Sequence, residues 1–290
     1  MQELIESLRN RGYQIDGTGF STGRPDRKTI PLVSRSGRRV VAKVFSKGDA
    51  GRSYANMQKL WDSSFGKNRH PPGLPEPLEY LPEHCVLIMD RLEGRPLLEF
   101  GGVDQSLLDE AIGLLAELHQ CDAEPEARRD SRRIVRSARR KAKRIVELAP
   151  QLAELIGAVI EAMEHVRPDD IDLVPSHGDF SARNILVGPH RVAFIDWDRF
   201  QWADPARDVV YVGTWSWAWS LRRAEHADWS VLERALSVYR SLCPWANIQK
   251  QVSFHVAAAL LRISHSLVEF WPEEAIWVPQ LAAEALRVLK

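Results

Sequence analysis

The spacing of apolar residues changes near residue 92, and this change limits the fold more than any other feature of the sequence. Before it, short runs that alternate apolar and polar residues are separated by turn residues, a pattern that predicts strands. After it, apolar residues recur at helical spacing. We therefore predict an α+β protein with two lobes. Residues 1–92 would form a small lobe with an antiparallel sheet and a helix, and residues 93–290 a larger, mainly helical lobe.

Individual elements of the small lobe can also be predicted. Ser36 and Gly37 lie between two alternating runs and indicate a hairpin turn. The prolines between residues 70 and 78 exclude a helix there, because proline lacks the amide donor that a helix interior needs. The predicted helices cover 2–10 and 49–63, and the predicted strands cover 13–20, 28–35, 38–45, 78–81 and 85–90.

Composition restricts the class of protein. The 290 residues are 44% apolar, which is enough for two hydrophobic cores. Lys plus Arg and Asp plus Glu both number 39, so the overall field attracts neither nucleic acid nor an anionic membrane, and we predict no such partner. Cys85, Cys121 and Cys243 are widely spaced, as expected for reduced thiols, and no apolar run is long enough to cross a bilayer. We expect a soluble, cytoplasmic protein.

Residues 177–198 carry the pattern most suggestive of chemistry. Asp179 follows a short strand that ends near residue 174, and Asn184 comes five residues later. A hairpin that turns at residues 188–190 then leads to Asp196 on the neighbouring strand. Carboxylate and carboxamide oxygens are the ligands that Mg²⁺ prefers in phosphoryl-transfer sites. The spacing therefore predicts that these three side chains gather around one Mg²⁺.

The motifs His177-x-Asp179-x4-Asn184, Asp196-Trp-Asp198 and Asp204-Pro-x2-Asp208 resemble those of the aminoglycoside phosphotransferase and choline kinase family, whose fold is the protein-kinase fold. The resemblance implies an ATP-dependent or GTP-dependent kinase that phosphorylates a hydroxyl of a small metabolite or antibiotic. It also implies one role for each motif residue. Asp179 would be the catalytic residue, Asn184 and Asp196 the metal ligands, and His177, Asp198 and Asp208 the supports of the catalytic loop.

Nucleotide contacts follow from the same resemblance. Lys43 lies in an apolar strand, where kinases of this fold place the cation that binds the α- and β-phosphates. Taken alone, it would more commonly be a surface lysine on a half-exposed strand. Gly19 lies in a glycine-containing turn that could approach phosphate oxygens, although an ordinary turn explains these glycines nearly as well. Backbone groups of Asp90 and Leu92 would hydrogen-bond the adenine edge.

One departure from the resemblance motivates an alternative function. Kinases of this fold commonly pair the strand lysine with a glutamate on the next helix, but residues 50–61 contain no acidic residue. Asp49 or Asp62 could substitute, or the phosphates and Asp196 could position Lys43 alone. The alternative is a nucleotide-binding pseudokinase that acts as a sensor or scaffold. A protein kinase is disfavoured, because only eleven residues separate Asp196 from Asp208 and leave no room for an activation loop.

Residues 128–144 form the most basic stretch, with ten Arg or Lys against Asp130 alone. A nucleic-acid or acidic-partner site is one interpretation. We favour the other, in which this helix and the acidic helix after Pro150 form an antiparallel hairpin. The acidic positions are Glu147, Glu154, Glu161 and Glu164.

A final pattern concerns the acceptor. Tyr211, Trp215 and Trp219 are spaced to share one helix face, whereas Trp217 faces elsewhere. They could form an aromatic wall that binds a sugar or a quaternary ammonium group, or they could simply fill the core. His119, at a predicted helix end, is expected to pack or cap there. The acceptor's identity and the oligomeric state stay open.

Overall fold

The computed structural model describes residues 1–17, 21–24, 27–46, 50–100, 104–168, 172–189 and 192–290, with the backbone alone for 21–24 and 27. The predicted phosphate-turn residue Gly19 lies outside these residues. The chain forms two compact units. Unit 1 comprises residues 1–95, 121–123 and 186–199, and unit 2 comprises 96–120, 124–185 and 200–290. The segment with Asp196 and Asp198 therefore belongs to the unit that contains the N-terminal sheet.

The strands are short and lie mainly in the first third of the chain. They are β1 Gln14–Ile15, β2 Ser21–Arg24, β3 Arg27–Val33, β4 Arg39–Phe45, β5 Pro77–Leu81, β6 Val86–Asp90, β7 Arg95–Pro96, β8 Arg128–Arg129, β9 Val174–Ser176, β10 Ile185–Val187, β11 Val192–Phe194 and β12 Gln201–Ala203.

The helices account for most of the remainder, together with short 3-10 turns. They are α1 Gln2–Asn10, α2 Ala50–Asp62, α3 Ser64–Lys67, α4 Gln105–His119, α5 Ser131–Leu148, α6 Ala153–His165, α7 Pro205–Arg222, α8 Ser230–Leu242, α9 Val252–Phe270 and α10 Val278–Leu289. No helix within the described residues is both long enough and apolar enough to span a membrane.

Unit 1 is built on an antiparallel sheet in the order β1-β3-β4-β6-β5, with β2 beside β3. The predicted sheet and helix of this region are confirmed. Of the strand predicted over 13–20, the structure describes residues 13–17, and among these Gln14 and Ile15 form β1. It pairs with Val33 and Leu32 at the end of β3, and the backbone of Asp16 next donates a hydrogen bond to Pro31.

Side-chain alternation on β4 separates a core face from a functional face. Val40 and Ala42 are fully buried, whereas Lys43, between Ala42 and the half-buried Val44, lies on the opposite side of the strand from Ala42. Helix α1 covers the core face with Leu4 and Leu8. The buried members of this core are Leu4, Leu8, Ile30, Leu32, Val40, Ala42, Leu81, Val86 and Ile88.

The segment 186–199 is fixed within unit 1 by aromatic packing. The backbone of Phe194 donates a hydrogen bond of 2.8 Å to Gly73, and the indole Nε1 of Trp197 donates one of 3.0 Å to the carbonyl of Phe194. Phe65 on α3 packs edge-on against Trp197, with 5.8 Å between ring centroids. These contacts hold the chain on both sides of Asp196.

Unit 2 places a three-stranded sheet, β8-β12-β9, among its helices. Strand β12 pairs in parallel with β8, where Ala203 lies opposite Arg129, and antiparallel with β9, where Ala203 lies opposite Val174. Helix α7 follows β12 and buries Val209, Val210 and Val212 completely. Strand β9 leads into residues 177–184, so this sheet and α7 together position the predicted catalytic loop.

The basic helix α5 is amphipathic. It buries Ile134 and Ile145 and exposes Arg139, whose Nε lies 2.6 Å from a carboxylate oxygen of Glu164 on α6. This pair supports the predicted hairpin of a basic and an acidic helix. Arg144 instead donates to Glu269 on α9 at 2.7 Å, so part of the basic stretch is neutralised by a helix that the sequence did not indicate.

Candidate active site

The loop after β9 is fixed by one buried carboxylate. The backbone N–H groups of His177 and Gly178 donate to the two carboxylate oxygens of Asp208, at 2.7 and 2.9 Å. Gly178 has φ of 76°, a left-handed conformation that glycine adopts without steric cost. Asp208 is 1% exposed and lies in the first turn of α7, so the start of this helix determines the path of the loop that presents Asp179.

Asp179 and Asn184 lie at the two ends of the loop and are both buried. The Nδ2 of Asn184 donates 2.9 Å to the backbone carbonyl of Asp179, which leaves the carboxamide oxygen available as a ligand. The backbone N–H of Asp179 donates to Nδ1 of His177 at 3.2 Å. Nδ1 of His177 is the acceptor in this hydrogen bond. His177 is fully buried and holds the loop from within.

Arg262 on α9 is a site residue that the sequence analysis missed. Its Nη2 donates 2.5 Å to Oδ1 of Asp179, and its Nη1 donates 3.0 Å to the carbonyl of Gly178. The guanidinium also lies 4.4 Å from the ring centroid of Tyr211. Burial would lower the pKa of Arg262, but the adjacent Asp179 outweighs it and the pKa is raised. The only sequence signal is a single charge that interrupts the apolar run from Val256 to Ile263.

A second buried network surrounds Asp208. His119 Nε2 lies 3.6 Å from Oδ2 of Asp208, and His119 Nδ1 lies 2.7 Å from the hydroxyl of Tyr239 on α8. Burial would raise the pKa of Asp208, but His119 and the positive charge of Arg207 lower it below its ordinary value. His119 was expected only to pack or cap at its helix end. It instead links α4 to the carboxylate that supports the loop.

In unit 1, Lys43 is held by two aspartates. Its Nζ lies 2.7 Å from Oδ1 of Asp196 and 3.0 Å from each carboxylate oxygen of Asp198. Asp196 has φ of 68°, a left-handed conformation that aspartate tolerates better than most residues and that often marks functional sites. Asp198 was assigned to loop support by resemblance, and in the structure it also pairs with Lys43. It provides the acid that α2 lacks.

Asp90 and Leu92, the two residues whose backbones were predicted to bind the adenine edge, differ in their surroundings. The N–H of Asp90 donates 2.9 Å to the carbonyl of Glu76, so that donor is already used within unit 1. The carboxylate of Asp90 accepts a 2.6 Å hydrogen bond from Nε of Arg38. The N–H of Asp90 is therefore not available to an adenine edge. Leu92 follows the end of β6 and is half-buried.

The predicted aromatic wall is largely part of the core. Tyr211 is 8% and Trp215 is 6% exposed. Trp215 stacks on Trp219 with centroids 5.2 Å apart, and the guanidinium of Arg183 lies 5.3 Å from the Trp215 ring. Trp217 is not part of this stack and instead stacks on the ring of Trp229. Tyr211 and Trp215 therefore offer little surface to a ligand.

Trp219 does border open space within unit 2. A cavity of about 730 Å³ is bounded by α7, the start of α8 and residues 98–99. Its lining combines indole rings with both signs of charge. The lining residues are Leu98, Glu99, Ser216, Trp217, Trp219, Ser220, Arg223, Glu225, His226, Asp228, Ser230 and Val231.

The side chains available for a metal are oxygen donors. Among the described residues, no three His, Cys, Asp or Glu side chains are grouped as a complete protein metal site. Mg²⁺ in phosphoryl-transfer sites needs fewer, because one or two carboxylates, substrate phosphates and water complete its octahedron. The carboxylate of Asp196 in unit 1 and the carboxamide oxygen of Asn184 in unit 2 are each oxygen donors of this kind.

An antiparallel sheet in the N-terminal region and a mostly helical remainder are the features of a kinase-like fold. A sequence model of the phosphotransferase enzyme family matches residues 30–245, and the chain belongs to this family. The resemblance seen in the motifs is thereby confirmed, and so is the predicted fold class. No curated protein sequence matches significantly.

Solved structures with the same fold are distant in sequence. An aminoglycoside phosphotransferase in complex with AMP-PNP and hygromycin B has a TM-score of 0.70 and 14% identity, over 99% of this chain and 97% of that one. The choline kinase of Streptococcus pneumoniae has a TM-score of 0.69 and 13% identity, over 99% and 98%. A macrolide 2'-phosphotransferase from Brachybacterium faecium has a TM-score of 0.60 and 20% identity, over 99% and 98%. At these identities the likeness shows the fold alone.

Proposed function

We propose that this protein is an ATP-dependent or GTP-dependent kinase that transfers the γ-phosphoryl group to a hydroxyl of a small metabolite or antibiotic. The observation that carries the proposal is the loop braced by Asp208, which presents the buried Asp179 with Asn184 bonded to its backbone. Family membership supports phosphoryl transfer. Neighbouring structures that contain ADP or AMP-PNP support a nucleotide donor.

Nucleotide binding would use groups of unit 1. Lys43 would contact the α- and β-phosphates, with Asp198 as its counter-ion. The carbonyl of Asp90 and the N–H of Leu92 would bind the adenine edge, and Gly19 would belong to the phosphate turn. Asn184 and Asp196 would hold Mg²⁺, which neutralises phosphate charge when it is bound.

The acceptor would be activated by Asp179. Its carboxylate would accept the proton of the attacking hydroxyl and orient that hydroxyl towards the γ-phosphorus. Arg262 fixes Oδ1 of this carboxylate, and Tyr211 packs against the Arg262 guanidinium. Trp215 supports Trp219 from within the core, so Trp219 is the member of the aromatic set that would border the acceptor. Most of the rate enhancement would come from positioning and charge neutralisation.

The pseudokinase alternative loses its motivation in this structure. It was based on the absence of an acidic residue on α2 that could pair with Lys43. Asp196 and Asp198 supply that pairing, and the side chain of Lys43 is only 12% exposed. The two aspartates fix the position of the Lys43 ammonium group, which supports its proposed role in phosphate binding.

A screen for ADP release tests the proposal. Hydroxylated metabolites and antibiotics would be supplied with ATP or GTP and Mg²⁺. With a productive acceptor, Asp179→Asn and Asp196→Asn should each lower kcat by at least about 10²-fold, the usual scale for removing a proton acceptor or a metal ligand. The exposed Asp172→Asn variant is the control. Wild-type turnover in either site variant, with folding verified by circular dichroism, would contradict the assigned roles.

A further inference from the structure

Four arginines of unit 2, Arg129, Arg133, Arg140 and Arg262, form a cluster in which the charges of the other three act on Arg129, and Arg262 bonds to Asp179. Arg129 lies on β8, opposite Ala203 of β12, and Ala203 in turn lies opposite Val174 at the start of the strand that leads into the catalytic loop. Arg133 and Arg140 project from α5. Arg262 joins the cluster to the site through its bond to Asp179. A group bound by this cluster would lie next to the catalytic carboxylate.

The arginines of this cluster carry more positive charge than the carboxylates near them neutralise. Asp179 pairs with Arg262. Asp130 caps α5 by accepting the backbone N–H of Arg133 at 2.8 Å. Burial lowers the pKa of Arg129, and the charges of Arg262, Arg140 and Arg133 lower it further, while Asp130 opposes them. Within the described part of the chain, neither Arg129 nor Arg140 has a carboxylate at ion-pair distance.

Other arginines of α5 form ion pairs with glutamates of neighbouring helices. Arg139 pairs with Glu164 and Arg144 with Glu269. Both of these arginines are more exposed than Arg129, for which an unpaired charge is therefore more costly. A half-buried guanidinium that lacks an acid, with three further arginines around it, is the arrangement expected where a ligand supplies the negative charge.

We propose that Arg129, with Arg133 and Arg140, forms a binding site for an anionic group of the acceptor, a carboxylate or a phosphate, beside Asp179. This inference rests on the proposed kinase function, because it assumes that Asp179 faces the acceptor hydroxyl. It identifies the acceptor as a hydroxy acid or a phosphorylated alcohol, and it disfavours a polycation. A planar guanidinium binds either anion with two parallel hydrogen bonds.

The anion itself takes no part in bond making. The acceptor hydroxyl oxygen forms the new bond to the γ-phosphorus, and the bond from that phosphorus to the β,γ-bridging oxygen breaks. ADP leaves, and the hydroxyl proton passes to Asp179. Arg129 binds the anionic end of the acceptor and thereby determines where the acceptor hydroxyl lies relative to Asp179.

Four three-carbon alcohols that differ in charge test this site on the full-length protein. The probes are glycerate, glycerol 3-phosphate, glycerol and 3-amino-1,2-propanediol, and the measurement is isothermal titration calorimetry. We expect glycerate or glycerol 3-phosphate to bind at least about tenfold more tightly than glycerol, the scale of one charge-assisted hydrogen bond. Preference between these two probes distinguishes a carboxylate site from a phosphate site. Equal binding of all four probes would overturn the proposal.

Matched variants assign the binding to the cluster. Arg129→Gln should reduce the affinity for the anionic probe to that for glycerol. Arg132→Gln removes another exposed charge from α5, outside the proposed site, and should leave the affinity unchanged. Should Arg129→Gln not fold, Arg140→Gln serves instead, since Arg140 is exposed. Anion binding that survives both substitutions would refute the site.

Failure of the kinase function would look different. If anions bind through Arg129 but no hydroxylated compound releases ADP, the proposed function is wrong and the site is not an acceptor site. If an amine acceptor is phosphorylated and Arg129→Gln leaves its kcat/KM unchanged, the kinase function stands and the anionic-acceptor inference falls. Phosphorylation of an anionic acceptor, with kcat/KM lowered at least about tenfold by Arg129→Gln, supports both.

Discussion

Lys43 on β4 donates hydrogen bonds to both carboxylate oxygens of Asp198, each at 3.0 Å. The two side chains are 12% and 10% exposed, so the pair is shielded from water and weakly screened. Asp198 lies in a 3-10 turn after β11 and not on the helix that follows β4. The pairing of the strand lysine thus depends on the same short segment that carries Asp196.

Asp198→Asn should weaken the use of nucleotide, because Lys43 would lose a charged partner and be free to move. Loss of one buried charge-assisted interaction, about 1.5–3 kcal/mol, corresponds to a tenfold to hundredfold fall in kcat/KM for ATP. Steady-state kinetics at several ATP concentrations measures this fall. Asp62→Asn, at the exposed end of α2, is the control and should change nothing. The reverse pattern would show that Asp62 positions Lys43.

Arg262 should affect catalysis through its contact with Asp179, and not only by stabilising the fold. Arg262→Gln removes the cation that favours the ionised carboxylate, so the acid limb of the kcat/KM profile should move to higher pH. We expect kcat to fall about tenfold to hundredfold. Arg262→Lys keeps the charge but loses the two-point geometry, and should restore the pH profile while recovering only part of kcat.

A pH profile of Arg262→Gln that matches wild type, with only a lower melting temperature, would assign Arg262 a structural role. Arg132→Gln controls for the loss of a positive charge from the surface.

Asp208 should couple stability to pH. The pKa of Asp208 in the folded state is lowered from 3.8. The ionised carboxylate therefore contributes fully to the free energy of unfolding when the pH is above the pKa of the unfolded state. This contribution is lost as the pH falls through the pKa of the folded state. Asp208→Asn should cost about 3 kcal/mol or more at pH 7, because it removes the charge opposite His119 and replaces one of the two oxygens that accept the N–H groups of His177 and Gly178 by an NH2 donor.

The stability difference between wild type and Asp208→Asn should be constant above about pH 5 and shrink below about pH 4, given the ordinary pKa of aspartate. Urea unfolding at several pH values measures it. If the stability difference between wild type and Asp208→Asn stays the same down to the lowest accessible pH, the substitution acts through packing or hydrogen bonding and not through the charge of Asp208.

The sequence predicted the parts of this site that depend on local pattern. Alternation placed Lys43 on a strand, and the family resemblance assigned Asp208 to support of the loop that carries Asp179 and Asn184. It missed Arg262 and the contact between His119 and Asp208, because both arise from packing of helices far apart in the chain. Asp198 was assigned by motif position, whereas its partner depends on the path of residues 186–199 through unit 1.

The aromatic residues show a related limit. Helical spacing predicted that Tyr211, Trp215 and Trp219 share a face, and stacking of Trp215 on Trp219 agrees with it. Spacing alone could not tell which part of that face meets solvent. That depends on Arg183 and Arg262, which approach the rings of Trp215 and Tyr211 from a loop and from α9.

Gly213 on α7 should be intolerant of even one methyl group. A Cβ built there would lie 2.5 Å from both Cα and Cβ of Leu232, so helix α8 would have to move as a body. Alanine normally favours a helix over glycine by about 1 kcal/mol, but overpacking costs about 1–3 kcal/mol. We therefore expect Gly213→Ala to lower the melting temperature by a few degrees.

Gly157 on α6 is the matched control, because it is exposed and a Cβ there meets nothing within 4 Å. Gly157→Ala should raise the melting temperature slightly, since only helix propensity changes. The site offers a second readout for Gly213→Ala. Displacement of α8 would move Asp228, Ser230 and Val231, which line the cavity beside Trp219, and should raise KM for the acceptor more than KM for ATP. Equal stability of the two alanine variants would show that α7 and α8 are not in close backbone contact.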